Sequence, residues 1–405
     1  QRMAVSPFTF FRGAAAVFAS DLADGPRTDL DVQLCGDAHL TNFGGFASPE
    51  RRLVFDLNDY DETLPGPFEW DLKRLAASFE IAGRHRGFDS SRRSKIVTTA
   101  VRSYRRAMHD FAAMTNLELW YQRLDVDDIG DRFGDDMTAA ERKRFAQAIR
   151  KAESKNSLRA TAKLTEIVDG HARFRSDPPT LVPIEELLPA GEVATIPERV
   201  AAILSSYRST LTPDRQHLLD RYRYVHLARK VVGVGSVGTR AWALLLVGRD
   251  DADPLVLQFK EAQTSVLEPF LGPSACATSG QRIVEGQRLL QAASDIFLGW
   301  HRGVGLDGVE RDFFVRQLWD AKGSADLETI EAGSLKIYAA VCGWTLALAH
   351  ARSGDAATIA GYLGGSDRFD RSMAEFADRY ADQNERDHQA LRRAADDGRV
   401  TAIDG

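Results

Sequence analysis

Ten residues near the start of the chain, 34–43, read LCGDAHLTNF and form its densest group of side chains able to carry chemistry. Apolar and polar residues alternate from residue 30 to residue 34, which predicts a strand that ends where this stretch begins. Asp37 offers an acceptor-only carboxylate and Asn42 a neutral amide oxygen. We therefore expect a functional loop at the end of a strand.

The spacing between Asp37 and Asn42, five positions (42 − 37), is that of the kinase catalytic loop. There the aspartate positions or deprotonates the acceptor hydroxyl and the asparagine holds a metal ion. The alternative is a polar loop in which Asp37 caps backbone amides and Asn42 supplies a turn. His39 is expected to hold the loop's shape, because Cys35 and His39 lack two further ligands for zinc.

A second strand is predicted at residues 53–57, and it runs into the acidic stretch 55–62, FDLNDYDE. Such neighbouring carboxylates repel one another unless a cation lies among them. A magnesium ion bridging nucleotide phosphates accounts for them, and Asp56 and Asp59 are both candidate ligands. The competing interpretation is an exposed acidic turn.

The third motif, GVGSVG at residues 233–238, has a glycine at three positions spaced as GxGxxG. A dinucleotide-binding fingerprint requires a helix after the last glycine, but residues 239–246 alternate as a strand does. A Walker loop requires Gly-Lys-Ser/Thr, which is absent here. We therefore expect a hairpin that folds over nucleotide phosphates, with a purely structural hairpin as the alternative. Its phosphate-binding residues would be Gly233, Gly235, Ser236 and Gly238.

Such a hairpin predicts a lysine on the next strand, to bind the α- and β-phosphates, and a glutamate on the following helix to orient it. Lys260 ends the predicted strand 255–260, on the face opposite Leu255, Leu257 and Phe259. Glu285 is the expected partner of Lys260, and Glu268 is the alternative.

Composition limits the class of protein. The chain has 405 residues, of which 44% are hydrophobic and 27% charged, so we expect a folded protein of two or three lobes. A net charge of −6 provides no general attraction for nucleic acid or an anionic membrane. Three scattered cysteines, no bilayer-length apolar run and no signal-peptide pattern in residues 1–11 favour the cytoplasm.

The loop at residues 36–42, with Asp59 and the Trp70-Asp71-Leu72 segment, resembles the aminoglycoside-phosphotransferase-like branch of the kinase-like superfamily. Asp71 follows Asp59 by twelve positions, which is why Asp59 is preferred as the metal ligand. The resemblance implies that Asp71 supports the catalytic loop. In that superfamily the glycine hairpin, lysine and glutamate come first, so the order in this chain is circularly permuted.

Residues 343–351, GWTLALAHA, resemble the helix that normally leads into the catalytic loop. The whole chain also resembles a bacterial family known as domain of unknown function 2252, which shares the loop at 36–44, the acidic run at 55–62 and the hairpin at 232–239. Two departures matter. Cys35 replaces the usual histidine, and residues 59–61 are not Asp-Phe-Gly, so a small-molecule acceptor is favoured over a protein.

The resemblance implies an α+β, two-lobed, circularly permuted protein-kinase-like fold with a small antiparallel-sheet lobe and a larger, mainly helical lobe. Residues 1–105 would carry the catalytic loop and metal ligands, 106–224 the acceptor-binding helices, 225–325 the nucleotide-binding sheet and 326–405 the closing helices. The expected activity is transfer of phosphate from ATP, with Mg²⁺, to a small-molecule hydroxyl. Asp37, Asn42 and Lys260 would be catalytic.

Three alternatives remain open. A flipped nucleotide on the same fold would transfer AMP instead of phosphate. A non-catalytic module would bind nucleotide without releasing a product. A metal-dependent hydrolase built on Asp37, His39, Asp56 and Asp59 leaves the glycine hairpin and Lys260 unexplained.

Overall fold

A computed structural model describes residues 2–134, 137–140, 163–168, 170–231, 240–305, 308–318 and 326–400. Within these ranges the protein combines helices with one six-stranded sheet and three two-stranded sheets. The expected mixture of helix and sheet is therefore confirmed.

The first part of the chain forms two short helices and two antiparallel strand pairs. Strand β1 pairs with β4, and β2 pairs with β3, with Phe43 opposite Leu57. This register brings Asn42, just before β2, close to the residues that follow β3. The strands predicted at 30–34 and 53–57 are confirmed. The elements are α1 (Pro7–Gly13), α2 (Ala15–Ala23), β1 (Asp31–Leu34), β2 (Phe43–Ala47), β3 (Leu53–Leu57) and β4 (Leu64–Pro67).

Helices follow, because the apolar period changes from two residues to between three and four. The long helix α4 is capped by the Asp89 side chain, which accepts a hydrogen bond from the backbone N–H of Arg92. These helices are α3 (Glu69–His85), α4 (Ser90–Ala112), α5 (Asn116–Tyr121) and α6 (Ile129–Phe133).

The middle of the chain builds the six-stranded antiparallel sheet, in the order β11-β12-β10-β9-β8-β7. Leu255, Leu257 and Phe259 lie on one face of β10, whereas Gln258 and Lys260 lie on the other, as the alternation predicts. The strands are β5 (Thr165–Val168), β6 (His171–Phe174), β7 (Leu181–Pro183), β8 (Arg223–Lys230), β9 (Ala241–Val247), β10 (Pro254–Ala262), β11 (Gly299–Val304) and β12 (Glu310–Gln317). Helices α7 (Ala190–Val193), α8 (Ile196–Arg208), α9 (Pro213–Leu219), α10 (Glu268–Leu271) and α11 (Ser279–Leu290) accompany them.

Residues 184–219, part of the stretch 106–224 that is expected to carry acceptor-binding helices, pack on the apolar face of this sheet. Tyr207 of α8 stacks edge-on against Phe259, and its hydroxyl donates to the carbonyl of Phe297. The apolar face of the sheet, which includes Leu255, Leu257 and Phe259 of β10, would be unfavourable in contact with water, and these helices cover it.

Three C-terminal helices complete the main core: α12 (Ala332–Ser353), α13 (Ala356–Leu363) and α14 (Arg368–Asp396). Helix α12 packs closely along α4 at Gly343, where a Cβ atom would collide with the carbonyl oxygen of Ala100. By length and composition α12 is apolar enough to cross a membrane, and 67% of its most apolar window is buried inside the protein.

Candidate functional site

The loop that follows β1 places Asp37 at the centre of a polar network. Arg74 of α3 donates from Nε to Asp37 Oδ1 at 2.8 Å, and the Asn42 side-chain amide donates to the backbone carbonyl of Asp37 at 2.8 Å. His39 Nε2 lies 3.6 Å from Asp37 Oδ2, beyond hydrogen-bond distance. Asp37 therefore keeps one carboxylate oxygen available, and its side chain remains 19% exposed.

His39 helps to shape this loop. Its Nδ1 lies 2.9 Å from the Thr41 hydroxyl, and the ring is buried. Burial lowers the pKa of His39 to about 4, against the opposing effect of the Asp37 carboxylate. His39 is therefore uncharged at neutral pH and contributes hydrogen bonding without a positive charge.

Asp71, on the first turn of α3, holds the start of the loop. Its carboxylate accepts the backbone N–H groups of Cys35 at 2.7 Å and Gly36 at 3.1 Å, and His350 of α12 approaches it at 3.3 Å. The supporting contact implied by the resemblance is present. Gly36 has φ +86°, a backbone conformation that residues other than glycine rarely adopt.

The acidic stretch after β3 meets the sheet at Lys260. The Lys260 ammonium forms an ion pair with Asp61, 199 residues away in sequence. Arg282 of α11 donates to the carbonyl of Asp61 at 2.8 Å and to that of Thr63 at 2.7 Å. The backbone N–H of Asn58 also donates to the carbonyl of Asn42 at 2.8 Å. These contacts join two distant parts of the chain into one site.

Asp59 and Asp61 both lie near the Lys260 ammonium, but their pKa values shift in opposite directions. Burial alone would raise the pKa of Asp59, but Lys260 and Arg316 hold that pKa below its ordinary value. Burial, together with the nearby charge of Asp59, raises the pKa of Asp61 to about 6 despite its ion pair. The pKa of Lys260 is raised, since the two carboxylates outweigh the effect of its burial. The cluster therefore holds Asp59 as the ionised acid.

Asp56, the alternative metal ligand, is buried and already engaged by the backbone. Its carboxylate accepts the N–H of Leu57 at 2.8 Å and that of Ala292 at 3.0 Å. Burial raises its pKa to about 6. Asp59 is thus the better placed of the two. In the described part of the chain, no three His, Cys, Asp or Glu side chains gather as a metal site, so a metal would need Asn42 as well.

The predicted pairing of Lys260 with Glu285 is wrong. Glu285 lies on an exposed face of α11, where it accepts from Gln281 at 2.7 Å and from the Cys276 thiol at 3.5 Å. Glu268, the alternative, approaches Arg282 at 4.0 Å. The reason is geometric: the inward face of α11 presents Arg282, which binds the carbonyls of the acidic loop, and Asp61 takes the place expected for Glu285.

The glycine-rich segment lies outside the described residues. Gly233, Gly235, Ser236 and Gly238 fall within 232–239, so their predicted role stays a prediction. The flanking strands β8 and β9 are antiparallel neighbours in the sheet, with Arg229 opposite Trp242.

Sequence patterns missed two buried partners of the site, Arg74 and Arg282. Arg74 follows Asp71 by one turn of α3, so both side chains point towards the loop, and its guanidinium also donates to the carbonyl of Phe11 at 2.7 Å. An arginine among the apolar residues of a helix was the signal available for each.

A family model described as an uncharacterized protein conserved in bacteria (DUF2252) matches residues 1–394. The chain therefore belongs to that family, as its resemblance indicated. No curated protein and no solved structure matches it.

Proposed function

We propose that this member of the DUF2252 family transfers phosphate from ATP, with Mg²⁺, to the hydroxyl group of a small molecule, on a circularly permuted protein-kinase-like fold. The observation that carries the proposal is the ion pair between Lys260 and Asp61. It joins the loop with kinase-like Asp37–Asn42 spacing to the strand that follows the glycine-rich segment.

The order of elements in the sheet lobe supports the same proposal. The glycine-rich segment connects β8 to β9, Lys260 is on the next strand β10, and helix α11 follows before the sheet continues with β11 and β12. In kinases, a glycine-rich loop covers the phosphates, a lysine on the third strand binds them, and a helix follows.

The side chains of the site are suited to bind Mg²⁺ and the phosphates of ATP. Asn42 uses its amide N–H₂ on Asp37, which leaves its amide oxygen for a metal. Asp59 is the ionised carboxylate and follows Asn58, whose backbone N–H binds the carbonyl of Asn42. Mg²⁺ bound there would neutralise the phosphate charge. The ammonium of Lys260 has three donors, of which Asp61 engages one, so donors remain for phosphate oxygens.

Asp37 is positioned to act on the acceptor. Its Oδ1 is held by Arg74, which leaves Oδ2 to accept the proton of the acceptor hydroxyl. The acceptor oxygen then forms a bond to the γ-phosphorus, the bond from that phosphorus to the bridging oxygen breaks, and ADP leaves. The products are a phosphate ester and ADP, with one proton released.

The test uses ATP labelled at the γ- or the α-phosphate, incubated with the small-molecule fraction of a bacterial extract. The γ-label should move to a product, and Asp37→Asn should lower this transfer by about 10²–10⁴-fold. The same variant should bind MgATP within about threefold of the parent affinity, because Asp37 acts on the acceptor. Asp251→Asn, in an exposed turn, is the matched control and should be unaffected.

Three results would overturn the proposal. Parental transfer by Asp37→Asn would remove its assigned role. Transfer of the α-label would favour AMP transfer, and MgATP binding without any labelled product would favour a non-catalytic nucleotide-binding module.

A further inference from the structure

A cavity of about 340 Å³ lies between the turn of the β2–β3 hairpin and the end of the six-stranded sheet at which β10 begins and β12 ends. None of Asp37, Asn42, Asp59 or Lys260 lines it, but Arg316, whose charge acts on Asp59, does, so the cavity adjoins the site described above. Its volume falls in the range of small-molecule pockets. The lining residues that matter here are Ala47, Asn58, Tyr222, Phe297 and Arg316.

Arg316 gives this cavity a positive charge. Its Nε donates to the Gln258 side chain at 3.3 Å and its Nη1 to the carbonyl of Asn58 at 3.4 Å, both long bonds to neutral acceptors. Among the described residues, no carboxylate lies within 4.0 Å of its guanidinium, the limit for an ion pair. A guanidinium with this surplus of donors favours an oxyanion.

The carboxylates that line the cavity do not compete strongly for Arg316, because backbone groups bind them. Asp295 accepts the N–H of Phe297 at 2.8 Å, and Asp253 accepts that of Arg249 at 3.1 Å. The remaining wall is mixed: apolar side chains such as Leu218 and Phe297 share it with polar ones, among them Arg51, Gln287 and Gln291. Such a wall suits the body of a small organic molecule, while Arg316 suits its charged end.

We propose that this cavity binds a small organic anion, with an aromatic or apolar body against Tyr222 and Phe297 and a phosphate or carboxylate group on Arg316. The walls of the cavity come from both the β2–β3 hairpin and the six-stranded sheet. Ala47 and Asn58 belong to the hairpin that leads to Asp59, and Arg316 belongs to the sheet that carries Lys260. A ligand there bridges the two parts of the catalytic cluster.

This bridging has a consequence that rests on the proposed function. Occupancy favours the arrangement in which the Asp59 loop and the Lys260 strand are together, so the ligand should increase the affinity for MgATP. The cavity would then be an effector site.

Binding is tested first without nucleotide, by calorimetric titration of the full chain with phenyl phosphate and with benzoate, using phenol as the neutral control. One or both anions should bind, and phenol should bind at least tenfold more weakly. Arg316→Gln should weaken anion binding at least tenfold, because the charged partner is lost. Arg249→Gln, in an exposed turn outside the cavity, is the matched control and should bind as the parent does.

A second variant keeps the test valid if Arg316→Gln alters the fold. Ala47→Trp should fill the cavity and abolish binding while thermal unfolding stays cooperative. The inference is overturned if neither anion binds the parent, or if both variants bind normally. It is also overturned if Lys260→Met abolishes binding and Arg316→Gln does not, since the anion then occupies the catalytic cluster. Because no ATP is present, failure here is separate from failure of phosphate transfer.

Discussion

Replacing Asp61 with asparagine should stabilise the protein at neutral pH. Asp61 Oδ1 is buried without a hydrogen-bond partner among the described residues, and the neighbouring Asp59 carboxylate repels its charge. Lys260 offsets only part of this cost, since the pKa of Asp61 remains raised. Asparagine keeps the shape of the side chain but cannot ionise, so Asp61→Asn removes the repulsion.

The magnitude follows from the pKa shift. The pKa of Asp61 rises from 3.8 to about 6, and each pKa unit corresponds to ~1.4 kcal/mol. A raised carboxyl pKa favours the folded state fully below the unfolded pKa, and that contribution disappears as the pH rises through the folded pKa. The parent should thus lose about 2 kcal/mol from this group between pH 4 and pH 7. The free energy of unfolding of Asp61→Asn should exceed that of the parent by about 1–3 kcal/mol at pH 7.5 and should equal it at pH 4.

The assay is urea denaturation at pH 4 to 8, followed by tryptophan fluorescence, for the parent and for Asp61→Asn. Asp370→Asn is the matched control. Asp370 is buried and binds Arg105 through both oxygens at 2.8 Å, so the same substitution there should destabilise the protein by about 3–5 kcal/mol at pH 7.5. The reasoning is refuted if Asp61→Asn lowers stability at pH 7.5, or if its effect does not change with pH.

Three further predictions concern the loop at residues 36–42 and the residues that support it. Asp71→Ala leaves two backbone N–H groups of the loop without their acceptor, and urea denaturation should show a loss of about 2–5 kcal/mol. His39→Gln should leave the pH dependence of phosphate transfer unchanged between pH 5.5 and 8, because the histidine is already neutral there; loss of a titration step near pH 6 would contradict this. Gly36→Ala should cost more than ~2 kcal/mol, since its φ is positive and the new Cβ meets the carbonyl of Glu62. Gly87→Ala, with φ +70° and open space around it, is the control and should cost about 1 kcal/mol.

Local patterns were sufficient to predict most regular elements around the site. Alternation predicted β1, β3, β9 and β10, because the pattern reflects which face of a strand is buried. The side of β10 that carries Lys260 followed from the same rule. These inferences needed only residues close together in the chain.

Contacts between distant segments were harder to predict. The expected Glu285 is solvent-facing on α11, and Asp61 binds Lys260 in its place. The carboxylates of residues 55–62 have similar neighbours in the sequence. Which of them contacts Lys260 depends on the path of the chain after β3. Likewise, residues 184–219 read as helices, but nothing local shows that they cover the sheet.

The sequence by itself determined the kinase-like spacing of Asp37 and Asn42, the position of Lys260 on its strand, and the strands on either side of these residues. The tertiary structure decided which charges meet: Arg74 on Asp37, Asp71 on the loop backbone and Lys260 on Asp61. The physical reason is that periodicity records the burial of one element at a time, whereas an ion pair between residues 199 positions apart depends on how several elements pack together.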